Sequence, residues 1–135
     1  MLFNRSVPPC TVIPVLSYPD VGAAADWLCQ AFGFKIRLRI GDHRIQMKAG
    51  DGCFVIGEGD VPADTAHLVM VRVEDANAHC ERARQHGARI LKPPTDHEYG
   101  ERQYNAIDLA GHRWAFTQSI ADVEPEVWGG ESVDL

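Results

Sequence analysis

Two stretches of this chain open and close a helix with the same punctuation, and that repetition limits the folds available to it. Asp20 stands where a side-chain oxygen can accept from the free N–H groups at a helix start, and Gly33, thirteen positions on, is the residue type that ends one. Asp75 and Gly87 repeat the pattern twelve positions apart. Between the first pair Ala24, Trp27, Leu28 and Ala31 recur at helical spacing, and between the second Ala76, Cys80 and Ala83 do the same. Such a match points to an internal duplication.

The flanking segments repeat as well. Thr11 to Tyr18 is an apolar, β-rich run whose Pro14 suits a strand edge or start. Phe34 to Ile40 and Arg44 to Met47 alternate like strands around a Gly41-Asp42 turn, and Asp51-Gly52 leads into the apolar run Cys53 to Ile56. In the second half Leu68 to Val73 precedes the helix expected over Ala76 to His86. Ala88 to Leu91, Tyr104 to Asp108 and Trp114 to Gln118 follow as strands, with turn chemistry at Pro93-Pro94 and Ala110-Gly111. The expected fold is α+β: one domain over 1–135, with βαβββ modules at about 11–58 and 67–119 curling around a shared cleft and a tail at 120–135.

Bulk properties exclude several classes of function. A net charge of −6 disfavours a nucleic-acid partner, because phosphate binding needs concentrated Lys and Arg. The longest stretch free of charge, Ser6 to Pro19, is broken by Pro8, Pro9 and Pro14, which rules out a membrane span there, and it has no signal-peptide pattern. A cytoplasmic protein is expected. Cys10, Cys29, Cys53 and Cys80 are scattered without a CxxC pair, which argues against a disulfide scaffold or structural zinc, and Cys53 and Cys80 read as buried free thiols.

The run Tyr99-Gly100-Glu101-Arg102-Gln103-Tyr104, followed by Asp108-Leu109-Ala110-Gly111-His112-Arg113-Trp114-Ala115-Phe116, resembles the second-module ending of the vicinal oxygen chelate superfamily, which includes glyoxalases, bleomycin-resistance proteins and extradiol dioxygenases. Val73-Glu74-Asp75 resembles that family's strand-to-helix junction, and the likeness extends over Val12 to Gln118. It implies modules that each form half of a cup, and a homodimer in which the cup is often completed by the partner. Whether this chain completes its cups alone or across two copies stays open.

The metal-dependent members of that family take one ligand from the first and one from the last strand of each module, drawn from His, Gln and Glu. Transferred to this sequence, the positions fall on Ile13, on Phe54 or Val55, on Leu68 and on Ala115, none of which can ligate. His67 is a marginal candidate one residue from its position, and in a strand that shift turns the side chain to the opposite face. No metal and no cofactor are expected. His97, Glu98 and Glu101 read as a solvated loop, His43 as turn surface, and His79 and His86 as a wet helix face.

By the same resemblance the cup is lined by Ile13, Val15 and Ser17, by Phe54 and Ile56, by Leu68, Met70 and Arg72, and by Arg113, Ala115 and Thr117. Such a lining suits a flat apolar molecule whose polar edge meets Arg72 or Arg113, although Arg72 also reads as an edge salt bridge with an acid such as Glu74. Trp114 and Phe116 have the opposite parity and read as core. Tyr99, Tyr104 and Arg102 read either as hairpin structure or as groups orienting a ligand at the rim, and Trp128 as docking on a partner subunit or closing the pocket. There is no GxSxG elbow and no phosphate loop.

Two classes of function follow. One is a metal-independent binding protein that sequesters an antibiotic or other small apolar or aromatic compound. The other is a glyoxalase-like lyase, an epimerase or a dioxygenase. A small-molecule sensor is a third reading.

Overall fold

The computed structural model describes residues 2–61 and 66–134. The first module runs β1 (Val15–Tyr18), α1 (Val21–Phe32), β2 (Lys35–Ile40), β3 (Arg44–Ala49) and β4 (Gly52–Glu58). The second runs β5 (Val69–Arg72), α2 (Ala76–Gln85), β6 (Arg89–Asp96), β7 (Glu101–Ile107) and β8 (Arg113–Ser119), after which a short 3₁₀ turn spans Pro125–Trp128. The sheets have matching orders, β1-β4-β3-β2 and β5-β8-β7-β6, with the first pair of each parallel and the rest antiparallel. Among the described residues no helix is long and apolar enough to cross a membrane.

The helix punctuation works as the residue types dictate. Asp20 accepts from the Ala23 N–H at 3.0 Å, and Asp75 from the Ala78 N–H at the same distance. Gly33 ends α1 with φ 76°, a left-handed conformation that lets its N–H reach the Cys29 carbonyl. The second helix ends at Gln85, two residues before its glycine, with His86 as the cap. The duplication extends to an irregularity: pairing slips between Ile36 and Leu38 in β2, and again between Ile90 and Lys92 in β6. An extra residue thus stands at the same place in both modules, an irregularity of the kind that re-aims a side chain.

One expected turn is not a turn. Pro93 and Pro94 lie inside β6, where pairing slips a second time between Lys92 and Thr95. The second sheet's order leaves β6 on an edge, so the missing proline N–H groups need no partner.

The helix-side faces of the two sheets share one core. Leu16, Tyr18, Ile45, Met47, Phe54 and Ile56 of the first sheet join Tyr104, Ala106, Trp114 and Phe116 of the second in one buried cluster with both helices. Rings make the junction: Phe34 lies 5.3 Å from both Phe54 and Trp114, and Phe32 lies 4.8 Å from Phe116. Contacts of this kind each add roughly 0.5–1.5 kcal/mol beyond the apolar area they bury. Trp114 and Phe116 thus occupy the core, as their parity predicts.

His79 overturns the expectation of a wet helix face. Its ring stacks with Phe32 and lies 4.3 Å from the Phe116 ring, while His86 remains exposed. The Phe32 carbonyl can only accept, so His79 Nε2 donates to it at 2.8 Å and Nδ1 accepts from the Tyr104 hydroxyl. Burial pulls the His79 pKa below its ordinary value, and Arg82 adds to this against the Phe32 carbonyl. A neutral imidazole therefore links the end of α1 to α2 and β7.

Candidate functional site

Strand register decides which residues face away from the shared core. In the first sheet Val15 pairs with Val55, Val55 with Gln46, and Cys53 with Lys48, so these share the open face, along with Ser17 and Gly57. Phe54 and Ile56 have the other parity and lie on the helix side at 3% and 0% exposure, contrary to the expected lining. The residue equivalent to Ala115 is accordingly Val55. The reason for the misassignment is physical: Cys53 to Ile56 are all buried, so hydrophobic alternation carries no signal about face. Phe54 nonetheless borders a cavity described below.

In the second sheet Met70 pairs with Ala115 and Arg72 with Thr117, which puts them on the open face with Arg113, Asn105 and Gln103. Leu68 precedes β5 and is exposed, as is Met70 at 56%. A polar relay crosses this face. Tyr99 donates to Gln103 Oε1 at 2.9 Å, Gln103 Nε2 to Thr117 at 3.1 Å, and Thr117 to Glu101 Oε1 at 2.7 Å. Arg72 donates to Ser119 and lies 3.4 Å from Glu101. Its acid partner is thus Glu101, which the sequence placed in a solvated loop, and not Glu74. Hydrogen bonds from Ser119 and Thr117, with the Arg72 charge, hold the Glu101 carboxyl below its ordinary pKa against the effect of burial.

The open face of the first sheet is crossed by the residues before β1. Gln46, 5% exposed, donates to the Ser6 carbonyl at 2.8 Å and accepts from Arg37, whose other amine donates to the Arg5 carbonyl at 3.1 Å. The bulge in β2 places Arg37 beside Gln46, and the resulting pair pins the arm. Ile13 and Val15 line a cavity of about 370 Å3 beneath Val7 and Pro8. A second cavity, of about 430 Å3, lies between the modules and is bounded by Val12 and Cys53 on one side and Met70 and Arg72 on the other.

Ile13, Val55, Leu68 and Ala115 offer hydrocarbon alone, and His67 is exposed and outside β5. Among the described residues no group of three or more His, Cys, Asp or Glu side chains could hold an ion. The metal centre of the metal-dependent relatives therefore does not fit the residues present at these four positions.

Three rim candidates are placed elsewhere. Arg102 pairs in register with Gln118 on the helix side of the sheet, where it makes a two-pronged ion pair with Asp96 at 2.7 and 3.2 Å, so it does not reach the cup. Tyr104 is fully buried against His79. Trp128 rests on the chain's own Tyr99, ring centres 5.4 Å apart, and Tyr99 stacks on His97 at 5.0 Å.

Two repeated βαβββ modules with this strand order, sharing one core and leaving open faces that mix apolar and polar side chains, define a cup-forming α+β protein. Residues 11–116 match the Glyoxalase/Bleomycin resistance protein/Dioxygenase superfamily, and the chain belongs to it. TioX from Micromonospora sp. ML1 is similar at 32% identity over 85% of this chain and 100% of its own, with a TM-score of 0.70. The fosfomycin resistance protein FosX from Mesorhizobium loti shares the fold at 17% identity over 82% of this chain and 92% of its own, TM-score 0.66. A glyoxalase/bleomycin resistance protein/dioxygenase family enzyme from Burkholderia phytofirmans PsJN does so at 16% identity over 78% and 94%, TM-score 0.69. No curated protein sequence matches the chain.

Proposed function

We propose that this protein is a metal-independent binder of a small apolar or aromatic compound, an antibiotic or another planar molecule, which it sequesters in the cytoplasm as a homodimer. The observation that carries this reading is the hydrocarbon character of the four positions where metal-dependent relatives place ligands, Ile13, Val55, Leu68 and Ala115. The cavity of about 430 Å3 between the modules, walled by Val12, Phe54, Val69 and Met70, suits a drug-sized fragment, while Ile13 and Val55 line the separate cavity of about 370 Å3. Arg72 would meet the ligand's polar edge. Because Glu101 already compensates its charge, a net anion is not required, and an overall charge of −6 does not oppose a cationic compound. Arg113, exposed on the same face, is a second polar contact.

Metal content and melting temperature test the proposal together. Thermal melts with zinc, nickel, manganese and iron(II), run beside melts with planar aromatic compounds, should show a dose-dependent rise for the organic ligands alone. A stoichiometric ion in the purified protein, or a rise with any of the four metals, would overturn it. Sedimentation at micromolar concentration should report a dimer.

A further inference from the structure

The arm that crosses the first sheet carries a thiol to a second thiol. Cys10 Sγ lies 3.8 Å from the carbonyl oxygen of Asp51, two residues before Cys53 in the chain. Cys53 points to the open face by its pairing with Lys48, and both cysteines line the cavity bounded by Met70 and Arg72. Cys29 and Cys80 belong to α1 and α2 and line neither this cavity nor the arm. All four are free.

We propose that Cys10 and Cys53 form a redox-modification site, in which a small-molecule disulfide of the glutathione type converts the thiol pair to an intramolecular disulfide that staples the arm to β4. The Cys10 thiolate attacks one sulfur of the small disulfide, which forms a mixed disulfide and expels one small thiolate. Cys53 then loses its proton and attacks the Cys10 sulfur, expelling the second. Two protein thiols and one small disulfide thus become one protein disulfide and two small thiols, with electrons balanced. The order follows from access: Cys10 is part-exposed and Cys53 buried, and burial, followed by hydrogen bonding to the Cys10 thiol, raises the Cys53 thiol above its ordinary pKa. Closing a loop that contains β1, α1, β2 and β3 restrains the unfolded chain, and it holds the arm over Val15 and Val55.

The test is oxidation of the reduced full-length protein with oxidised glutathione, read by thiol titration, intact mass and fragmentation of peptides kept unreduced. The expected product has lost two thiols and two hydrogen masses, joins Cys10 to Cys53 within one chain, and melts on the order of 10 °C higher. The Cys10→Ser variant, altered only in the arm, should form no such product and show no shift. Retention of both thiols, a stalled mixed disulfide at Cys10, or a bond through Cys29, Cys80 or a second chain would overturn the proposal. None of these readouts depends on ligand binding, so the result stands apart from the function proposed above.

Discussion

The Tyr18 hydroxyl at the end of β1 donates to Asp108 Oδ2, ninety residues away in the last hairpin, at 2.5 Å. The same oxygen accepts from the Trp114 indole N–H at 3.0 Å, and Oδ1 accepts from the backbone N–H groups of Ala110 and His112. His112 then donates from Nε2 to the Ser17 carbonyl at 2.7 Å, while its ring lies 4.7 Å from that of Tyr18. One carboxylate thus both shapes the hairpin and clasps it to the other module.

Removing that carboxylate should cost far more than removing one of its donors. Asp108→Ala strands a buried phenol and a buried indole N–H and should lower unfolding free energy by about 3 kcal/mol or more, whereas Tyr18→Phe should cost about 1–2 kcal/mol. Urea unfolding of the two variants distinguishes these outcomes, and equal losses would refute the clasp.

His79 makes stability sensitive to mild acid. Its pKa is depressed in the folded state, so the unfolded chain takes up a proton near its ordinary value of 6.5 that the folded chain refuses. The contribution is fully present above that pH and is lost as pH falls through the folded pKa. Urea midpoints at about pH 7.5 and 5.5 should drop in the native protein and drop less in His79→Phe.

Glu101 acts in a lower window. Its folded pKa is also depressed, so its contribution is present above the ordinary value of 4.5 and disappears as pH falls below it. Arg72 is 68% exposed, so the pair contributes at most about 1 kcal/mol. Glu101→Gln should flatten the acid end of the stability profile. Arg72→Ala should leave the melting temperature nearly unchanged and weaken binding of a planar ligand about tenfold.

Gly100 fixes the departure of the C-terminal tail. It has φ 85°, its carbonyl accepts from Ile120 and Ala121, and a Cβ there would sit 2.5 Å from the Ala121 carbonyl oxygen. Gly100→Ala should destabilise by about 2 kcal/mol or more and loosen Trp128 from Tyr99, visible as a change in tryptophan emission.

The fold was legible because its signals are local. Capping aspartates, stop glycines and alternating strands need only near neighbours, and α1 appears over the residues that its spacing marks out. At Val15, Met70 and Arg72 the face was expected from the family resemblance alone, and strand register puts these residues on the open side. The face was illegible at β4, where both sides are covered, the outer one by an arm whose path depends on Arg37 and Gln46. His79 was misplaced because its partner Phe32 is assigned by tertiary packing that no short-range pattern encodes, and Arg102 because β6 runs on past the turn expected at Pro93-Pro94 and sets Asp96 directly across the hairpin from it. The Asp108 clasp had a faint signal in the aspartate and glycine framing the last hairpin, but its link to Tyr18 had none.

The ring cluster that joins the modules also bears on how such a chain could have arisen. Phe32, Phe34 and Phe54 bury their faces against Trp114 and Phe116, so either half made alone would present those rings to water. An ancestral half-length polypeptide of this design would have had to pair with its own copy to be stable. Gene fusion would then have turned that encounter between molecules into an encounter within one.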